Sequence, residues 1–126
     1  MTKLSSVLLV SVLVSVTNAA SGFLGACNVG TLKYNDDTHS IYIKCGNRQL
    51  SKNLADNCIA NSDGALAWDP NGNYDRSCDS CRLKTQDKKQ FLECESCSRI
   101  KGGSSRRPSI DLNQGIGYNG GLYCNN

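Results

Sequence analysis

The chain repeats itself. Phe23-x3-Cys27-x4-Leu32 returns as Tyr74-x3-Cys78-x4-Leu83. Ile59-Ala60-Asn61-Ser62-Asp63-Gly64-Ala65-Leu66 returns as Ile116-Gly117-Tyr118-Asn119-Gly120-Gly121-Leu122, one residue shorter. Two copies of about fifty residues constrain such a chain to a pseudo-twofold fold built from two related halves. A repeated half also repeats a surface, so a binding feature in one copy has a counterpart position in the other.

The N-terminal stretch stands outside this repeat. Lys3 precedes an apolar run at residues 7–16, broken only by Ser11 and Ser15, and Thr17-Asn18-Ala19-Ala20 supplies small residues. That order fits a secretory signal cleaved after Ala19 or Ala20. The run is too short to span a bilayer, and no second apolar run follows it, so no membrane insertion is expected. The expected organisation is a signal at residues 1–19 and a single domain at 20–126. Repeat one covers about 22–73 and repeat two about 74–126.

The formal charge of +3 falls by one when Lys3 is removed. That is too little for a phosphate-binding footprint, and no nucleic acid partner is expected. Basic residues gather only at Lys84 to Lys89 and at Arg99 to Arg107, where solvated hairpin tips account for them.

All eight cysteines lie between Cys27 and Cys124. An even count in a short secreted chain reads as a disulfide framework. Cys78-x2-Cys81 and Cys94-x2-Cys97 also have the spacing of a four-thiolate zinc site. Export into an oxidising compartment and four further cysteines argue against it. A redox CxxC lacks the strand–helix context that a reactive thiolate needs. In an antiparallel hairpin, opposed residues share one index sum, and Cys78 with Cys97 has the same sum as Cys81 with Cys94. This favours nested bridges; Cys78–Cys94 with Cys81–Cys97 stays open and would need a bulge. The repeat then pairs Cys27 with Cys45 and leaves Cys58 for Cys124.

Strand signals dominate. Ile41-Tyr42-Ile43-Lys44-Cys45 and Leu66-Ala67-Trp68 alternate with period two. Turn signals separate such stretches at Asn35-Asp36-Asp37, Ser62-Asp63-Gly64, Asp69-Pro70-Asn71-Gly72 and Asn119-Gly120-Gly121. Asp63-Gly64 and Gly120-Gly121 suit tight hairpins. Each copy reads as strand, strand, helical turn, hairpin, with the helical turn at Ser51 to Ile59 and again at Ser109 to Ile116. Residues 69–73 are the candidate hinge between copies.

On Phe23-x3-Cys27, Asn61 through Trp68, Pro70, Tyr74-x3-Cys78, Ser109-Ile110-Asp111-Leu112-Asn113 and Asn119-Gly120-Gly121-Leu122, the chain resembles the cyanovirin-N homology family of lectins. The resemblance implies an all-β fold with short helical turns and two pseudo-symmetric lobes that exchange hairpins. It places Cys58 and Cys124 in one lobe. It implies binding of mannose-type oligosaccharides or glycoproteins, especially those with terminal α1-2 linkages, with no cofactor and no catalysis, by a monomer or a hairpin-exchanged dimer.

Carried over residue by residue, the middle-of-chain site comprises Asn61, Asp63, Asn71, Asn73, Arg76, Ser77, Ser98 and Arg99. Ser98 and Arg99 belong to it if Cys97 is the family's cysteine; otherwise Glu95 and Ser96 take their place. A weaker second site retains Gly46, Asn47, Arg48 and Asn119, because Gly25 and Ala26 stand where polar side chains would contact sugar. Short amides, carboxylates, hydroxyls and guanidinium groups match the paired donors and acceptors of vicinal sugar hydroxyls.

Other readings use the same residues. Asn61 and Asp63 also suit turn chemistry alone. Asn71, Asn73, Arg76 and Arg99 also suit solvated loops and strand ends. Trp68 is expected in the core, and His39, the sole histidine, in solvent. With no second histidine there is no base for hydrolysis. The competing function is a disulfide-stapled secreted interaction protein, an effector, toxin or inhibitor, that has lost sugar binding.

Overall fold

The computed structural model describes residues 22–125; the signal assigned to residues 1–19 lies outside them. The regular structure is almost entirely antiparallel strand. β1 (Asn28–Asn35), β2 (Ser40–Cys45) and β3 (Arg48–Asn53) form a three-stranded sheet. β4 (Ile59–Ser62) and β5 (Ala65–Trp68) form a hairpin. β6 (Cys78–Gln86), β7 (Lys89–Ser98), β8 (Ser104–Arg106) and β9 (Ser109–Asp111) form a four-stranded sheet in which both β8 and β9 pair with β7. A single helical turn, α1 (Leu112–Gly115), leads into the closing hairpin of β10 (Ile116–Tyr118) and β11 (Leu122–Cys124). A 3-10 turn opens each half, at Phe23–Gly25 and Tyr74–Arg76.

The disulfides follow the register. β6 and β7 pair Cys78 with Cys97 and Cys81 with Cys94, and those pairs are bridged. Cys27 is bridged to Cys45, and Cys58 to Cys124. No cysteine is free among the described residues. The Sγ atoms of Cys78, Cys94 and Cys97 lie within 4.8 Å of one another because two disulfides are neighbours, and disulfide sulfurs are not thiolate ligands. Residues three apart on a regular strand face opposite sides, yet Cys78 and Cys81 are both buried. Ser80 between them adopts the left-handed conformation (φ 51°) and resets the alternation.

The helical turns are shorter than the sequence pattern suggests. Ser51 to Asn53 belong to strand β3, and residues 54–58 form turns without helix. In the second copy Ser109 to Asp111 are strand, and only Leu112–Gly115 is helical. Both turns begin alike. The Ala55 N–H donates to Asn53 Oδ1 (2.8 Å), and the Asn113 N–H donates to Asp111 Oδ1 (3.1 Å). Asn57, left-handed at φ 63°, ends the first turn.

The copies exchange parts. The Asn73 N–H donates to the Ala55 carbonyl (2.7 Å), so the turn at residues 54–58 of the first half meets the 3-10 turn of the second. The Leu24 N–H donates to Asn113 Oδ1 (2.9 Å), which is the reciprocal contact. Hairpin β4–β5 lies with β6–β9, and hairpin β10–β11 lies with β3 and the first 3-10 turn. Residues 22–73 therefore do not close a lobe by themselves. Phe23, Ile41, Ile43, Leu54, Ile59, Tyr74, Leu92, Leu112 and Ile116, all fully buried, draw the core from both copies. Trp68 packs on it. Its ring lies where a Cβ on Gly115 would sit, across the exchange.

His39 departs from expectation. Its side chain is half-buried, with Nε2 3.4 Å from Asp75 Oδ2 and its ring edge-on to Tyr74. The hairpin tip it occupies folds back onto the second 3-10 turn. There the Tyr34 and Tyr74 hydroxyls are 2.6 Å apart, and the Tyr34 hydroxyl also donates to Asp36 Oδ1 (3.2 Å). Burial pushes the Tyr34 phenol well above its ordinary value, against the opposing pull of the Tyr74 hydrogen bond. Burial raises Tyr74 further, and there the bond to Tyr34 adds to it.

The basic clusters sit as expected at chain reversals. Lys84 to Lys89 surrounds the two-residue turn at Asp87-Lys88, where both residues have positive φ. Lys84 and Arg82 reach the buried Glu93 at 3.3 and 2.7 Å.

Two outcomes are expected. Unfolded phenols ionise near pH ~10, whereas the folded Tyr34–Tyr74 pair holds its protons. The native state then binds more protons, and stability falls as pH rises above that point. Denaturant midpoints taken from below to above pH ~10, compared with a Tyr34→Phe/Tyr74→Phe variant, will show the steeper fall in the parent. Gly115→Ala drives a methyl into the Trp68 ring and will cost about 1–3 kcal/mol, read by the same denaturation.

Candidate functional site

The tip of hairpin β4–β5 is built from Asp63 and Gly64, with φ values of 50° and 96°. Positive φ at both central residues matches the twist of the flanking strands. This tip rests against the far end of β7 and its turn into β8. Asn61 makes the closure. Its Nδ2 donates to Ser77 Oγ (2.8 Å) and to the Ser98 carbonyl (2.9 Å), and its Oδ1 accepts from the Gly64 N–H (2.7 Å). Both amide donors are thereby used within the protein. Asp63 Oδ1 accepts from the Ile100 N–H (2.9 Å). Ser105 Oγ donates to the Gly64 and Cys97 carbonyls. A Cβ on Gly64 would lie 3.0 Å from Arg99 Cγ, so the Arg99 stem lies along the glycine.

The expected site residues thus fall into groups. Asn61, Asp63, Ser77, Ser98 and Arg99 are brought together around one hairpin tip. Arg76 precedes Ser77 in the 3-10 turn that packs against β4, and its side chain is exposed. Asn71 and Asn73 are not brought to this tip by any hydrogen bond among the described residues. They bond within the linker instead: the Asn71 N–H donates to Asp69 Oδ1 (2.8 Å), and Asn73 Nδ2 to the Asn71 carbonyl (3.0 Å). The pairing of Cys78 with Cys97 makes Ser98 and Arg99, rather than Glu95 and Ser96, the residues beside the tip. Glu95 instead pairs with Arg82 (3.4 Å) and lies 4.0 Å from Arg107.

The second lobe repeats the arrangement with different groups. Tyr118 faces Leu122 as Asn61 faces Leu66, so tyrosine stands where the clasping asparagine stood. Arg48 takes over the clasp, donating from Nη1 to the Gly120 carbonyl (2.9 Å). Gly46 and Asn47 form the turn beside it. The loop at Asn119 to Gly121 has three residues, and the Asn119 N–H donates to the Gly121 carbonyl (3.1 Å). Four residues separate Asn61 from Leu66 and three separate Tyr118 from Leu122, so the shortening seen in the sequence falls at the turn. Gly25 and Ala26 are exposed and contribute no polar side chain.

Two participants escaped the sequence reading. Ser105 ties the tip to β7, and its only signal is the polar run that follows Gly102-Gly103. Ile100, 86% exposed, stands between Arg99 and Lys101 beside Asp63. An apolar residue inside a basic turn was the available signal.

Asn61→Ala leaves the Gly64 N–H and the Ser98 carbonyl without their partner. It will lower stability by about 2–3 kcal/mol in urea denaturation. An unchanged midpoint would mean that Asn61 does not hold the hairpin.

The sequence model of the CVNH domain matches residues 23–123. The solution structure of the Gibberella zeae CVNH protein is similar at 23% identity and a TM-score of 0.68, covering 82% of this chain and 97% of that one. Microvirin, solved in complex with mannobiose, is similar at 25% identity and a TM-score of 0.64, with the same coverage of each chain. No curated protein sequence matches it as a relative. With its two copies exchanging hairpins and the family's sequence pattern running through both, the chain belongs to the CVNH domain family.

Proposed function

We propose that this protein is a secreted lectin that recognises mannose-type oligosaccharides, mainly through the lobe containing β4 to β9. Family membership supports sugar binding, and the microvirin complex with mannobiose supports the choice of sugar. The observation that carries the reading is the convergence of Asp63, Ser77, Ser98 and Arg99 around a hairpin tip that Asn61 holds, with the exposed Arg76 next to Ser77. A tip and an Asp63 carboxylate already held in place lower the ordering cost of meeting vicinal hydroxyls. Four disulfides suit an oxidising compartment, consistent with export. No catalytic step is proposed; the sole histidine is engaged with Asp75.

One site gives weak monovalent binding. A dimer exchanging hairpins at residues 69–73 would add avidity by raising effective concentration. A second reading, a stapled interaction protein without sugar binding, is favoured by Ile100, whose 86% exposure puts an apolar contact beside Asp63.

Titration with an α1-2-linked mannose disaccharide, followed by backbone amide shifts, tests the proposal. The expected shifts gather at Asp63, Gly64, Ser77, Arg99 and Ile100. Arg76→Ala and Arg99→Ala will each weaken binding by about tenfold, the equivalent of ~1.4 kcal/mol. Shifts confined to Arg48 and Asn119 would move the site to the other lobe. No shift with this disaccharide or any larger oligomannose would leave the interaction-protein reading.

A further inference from the structure

A concavity lies away from that cluster, on the outer face of the β1–β2–β3 sheet. β1 and β2 pair regularly from Asn35↔Ser40 to Lys33↔Tyr42, and then the register jumps to Asn28↔Lys44. Val29, Gly30, Thr31 and Leu32 thus stand against Ile43 alone. The bulge is closed by its own side chains. The Gly30 N–H donates to Asn28 Oδ1 (3.1 Å), and Thr31 Oγ1 donates to the Asn28 carbonyl (2.7 Å). The Lys44 N–H then donates to Thr31 Oγ1 (2.9 Å), so a hydroxyl occupies the ladder position that the bulge vacates. A bulge bends its strand and re-aims side chains. Here it opens a cleft of about 490 Å³ lined by Gly30, Thr31, Lys33, Tyr42, Lys44 and Gln49.

The lining has a definite chemistry. Lys33 directly faces Tyr42 across the ladder, and Lys44 lies two residues further along β2 on the same side of the sheet. Both ammonium groups are exposed, and neither forms an ion pair with any carboxylate among the described residues. Elsewhere the exposed cations Arg82 and Lys84 are paired. No carboxylate lines the cleft, while a half-buried tyrosine, a hydroxyl and an amide do. Two unpaired cations over a concave surface raise the local concentration of anions. The aromatic ring and the hydroxyl and amide groups are the complement of a pyranose rather than of a bare ion.

We propose that this cleft binds an anionic sugar unit, a pyranose bearing a carboxylate or a sulfate ester. The anion sits between Lys33 and Lys44, and the ring lies against Tyr42. This site is separate from the hairpin tip at Asp63 and Arg99, so the protein would hold a neutral and an acidic glycan at two places.

The test is a titration of the whole protein with glucuronate, glucose 6-sulfate, glucose and inorganic sulfate, followed by amide shifts. Glucuronate, glucose 6-sulfate or both will shift Thr31, Lys33, Tyr42, Lys44 and Gln49 saturably, and whichever saturates names the acid. Glucose will bind at least about tenfold more weakly, and the double substitution Lys33→Gln/Lys44→Gln will weaken the acidic sugar by a similar factor. Added salt will weaken it too. The proposal is overturned if glucose binds as well as the acidic sugars or if the double variant binds unchanged. It is equally overturned if inorganic sulfate matches both sugars, which would mean an adventitious ion only. These shifts fall on β1 to β3, so their absence leaves the mannose titration at Asp63 and Arg99 untouched.

Discussion

A two-stranded hairpin with one apolar face is marginal in water and needs a third element to cover it. Hairpins β4–β5 and β10–β11 each find that cover in the other copy, and the rest of the architecture depends on this exchange. Asn61 fastens one hairpin through two hydrogen bonds and braces its tip with a third, and Arg48 fastens the other through one. The Cys58–Cys124 bridge ties the entry of the first hairpin to the end of the second. Trp68 from the first hairpin closes on Gly115, immediately ahead of the second. Neither copy can therefore form the surface around its hairpin tip without the other, because each such surface has one wall from the tip and the other from a distant sheet.

The cysteines serve the same end by fixing the sheet on which the tip rests. Two bridges between β6 and β7, set three residues apart, lock the register on both sides of the Ser80 kink. The end of β7 then continues straight into Ser98 and Arg99. A one-residue slip there would turn every side chain to the opposite face. The bridges make that slip impossible, and the polar groups beside Cys97 keep their aim.

Much of this was legible in the chain. Equal index sums gave the nested bridges, and the repeat gave Cys27 with Cys45. Asp63-Gly64 announced its turn. What stayed hidden had no side-chain pattern to betray it. Strand β3, Arg-Gln-Leu-Ser-Lys-Asn, carries a single apolar residue, and β8 carries none. Both are held by backbone pairing at a sheet edge, where no apolar face is required. The helical turn assigned to Ser51 through Ile59 was drawn from the repeat, but Lys52 and Asn53 continue the strand, and Asn57 stops the turn before a helix forms. The β1 bulge depends on two side chains replacing backbone partners, which spacing does not reveal. For the site, Asn61, Asp63, Ser77, Ser98 and Arg99 gather at the tip and Asn71 and Asn73 do not, and the sequence did not separate groups that build the tip from groups that remain free.

That separation explains why the two lobes differ in what they can offer a ligand. Docking a hairpin tip requires a donor or acceptor for its backbone. In the middle lobe a short asparagine, half-buried, supplies it, and the guanidinium groups of Arg76 and Arg99 remain without a hydrogen-bonded protein partner among the described residues. In the other lobe tyrosine has replaced that asparagine, and Arg48 must reach across to the Gly120 carbonyl. Holding the loop fixes the Arg48 guanidinium and uses one of its five donors. One substitution at the clasp thus changes which polar groups a lobe leaves free while leaving its fold intact, and the two lobes differ in surface chemistry on a symmetric scaffold.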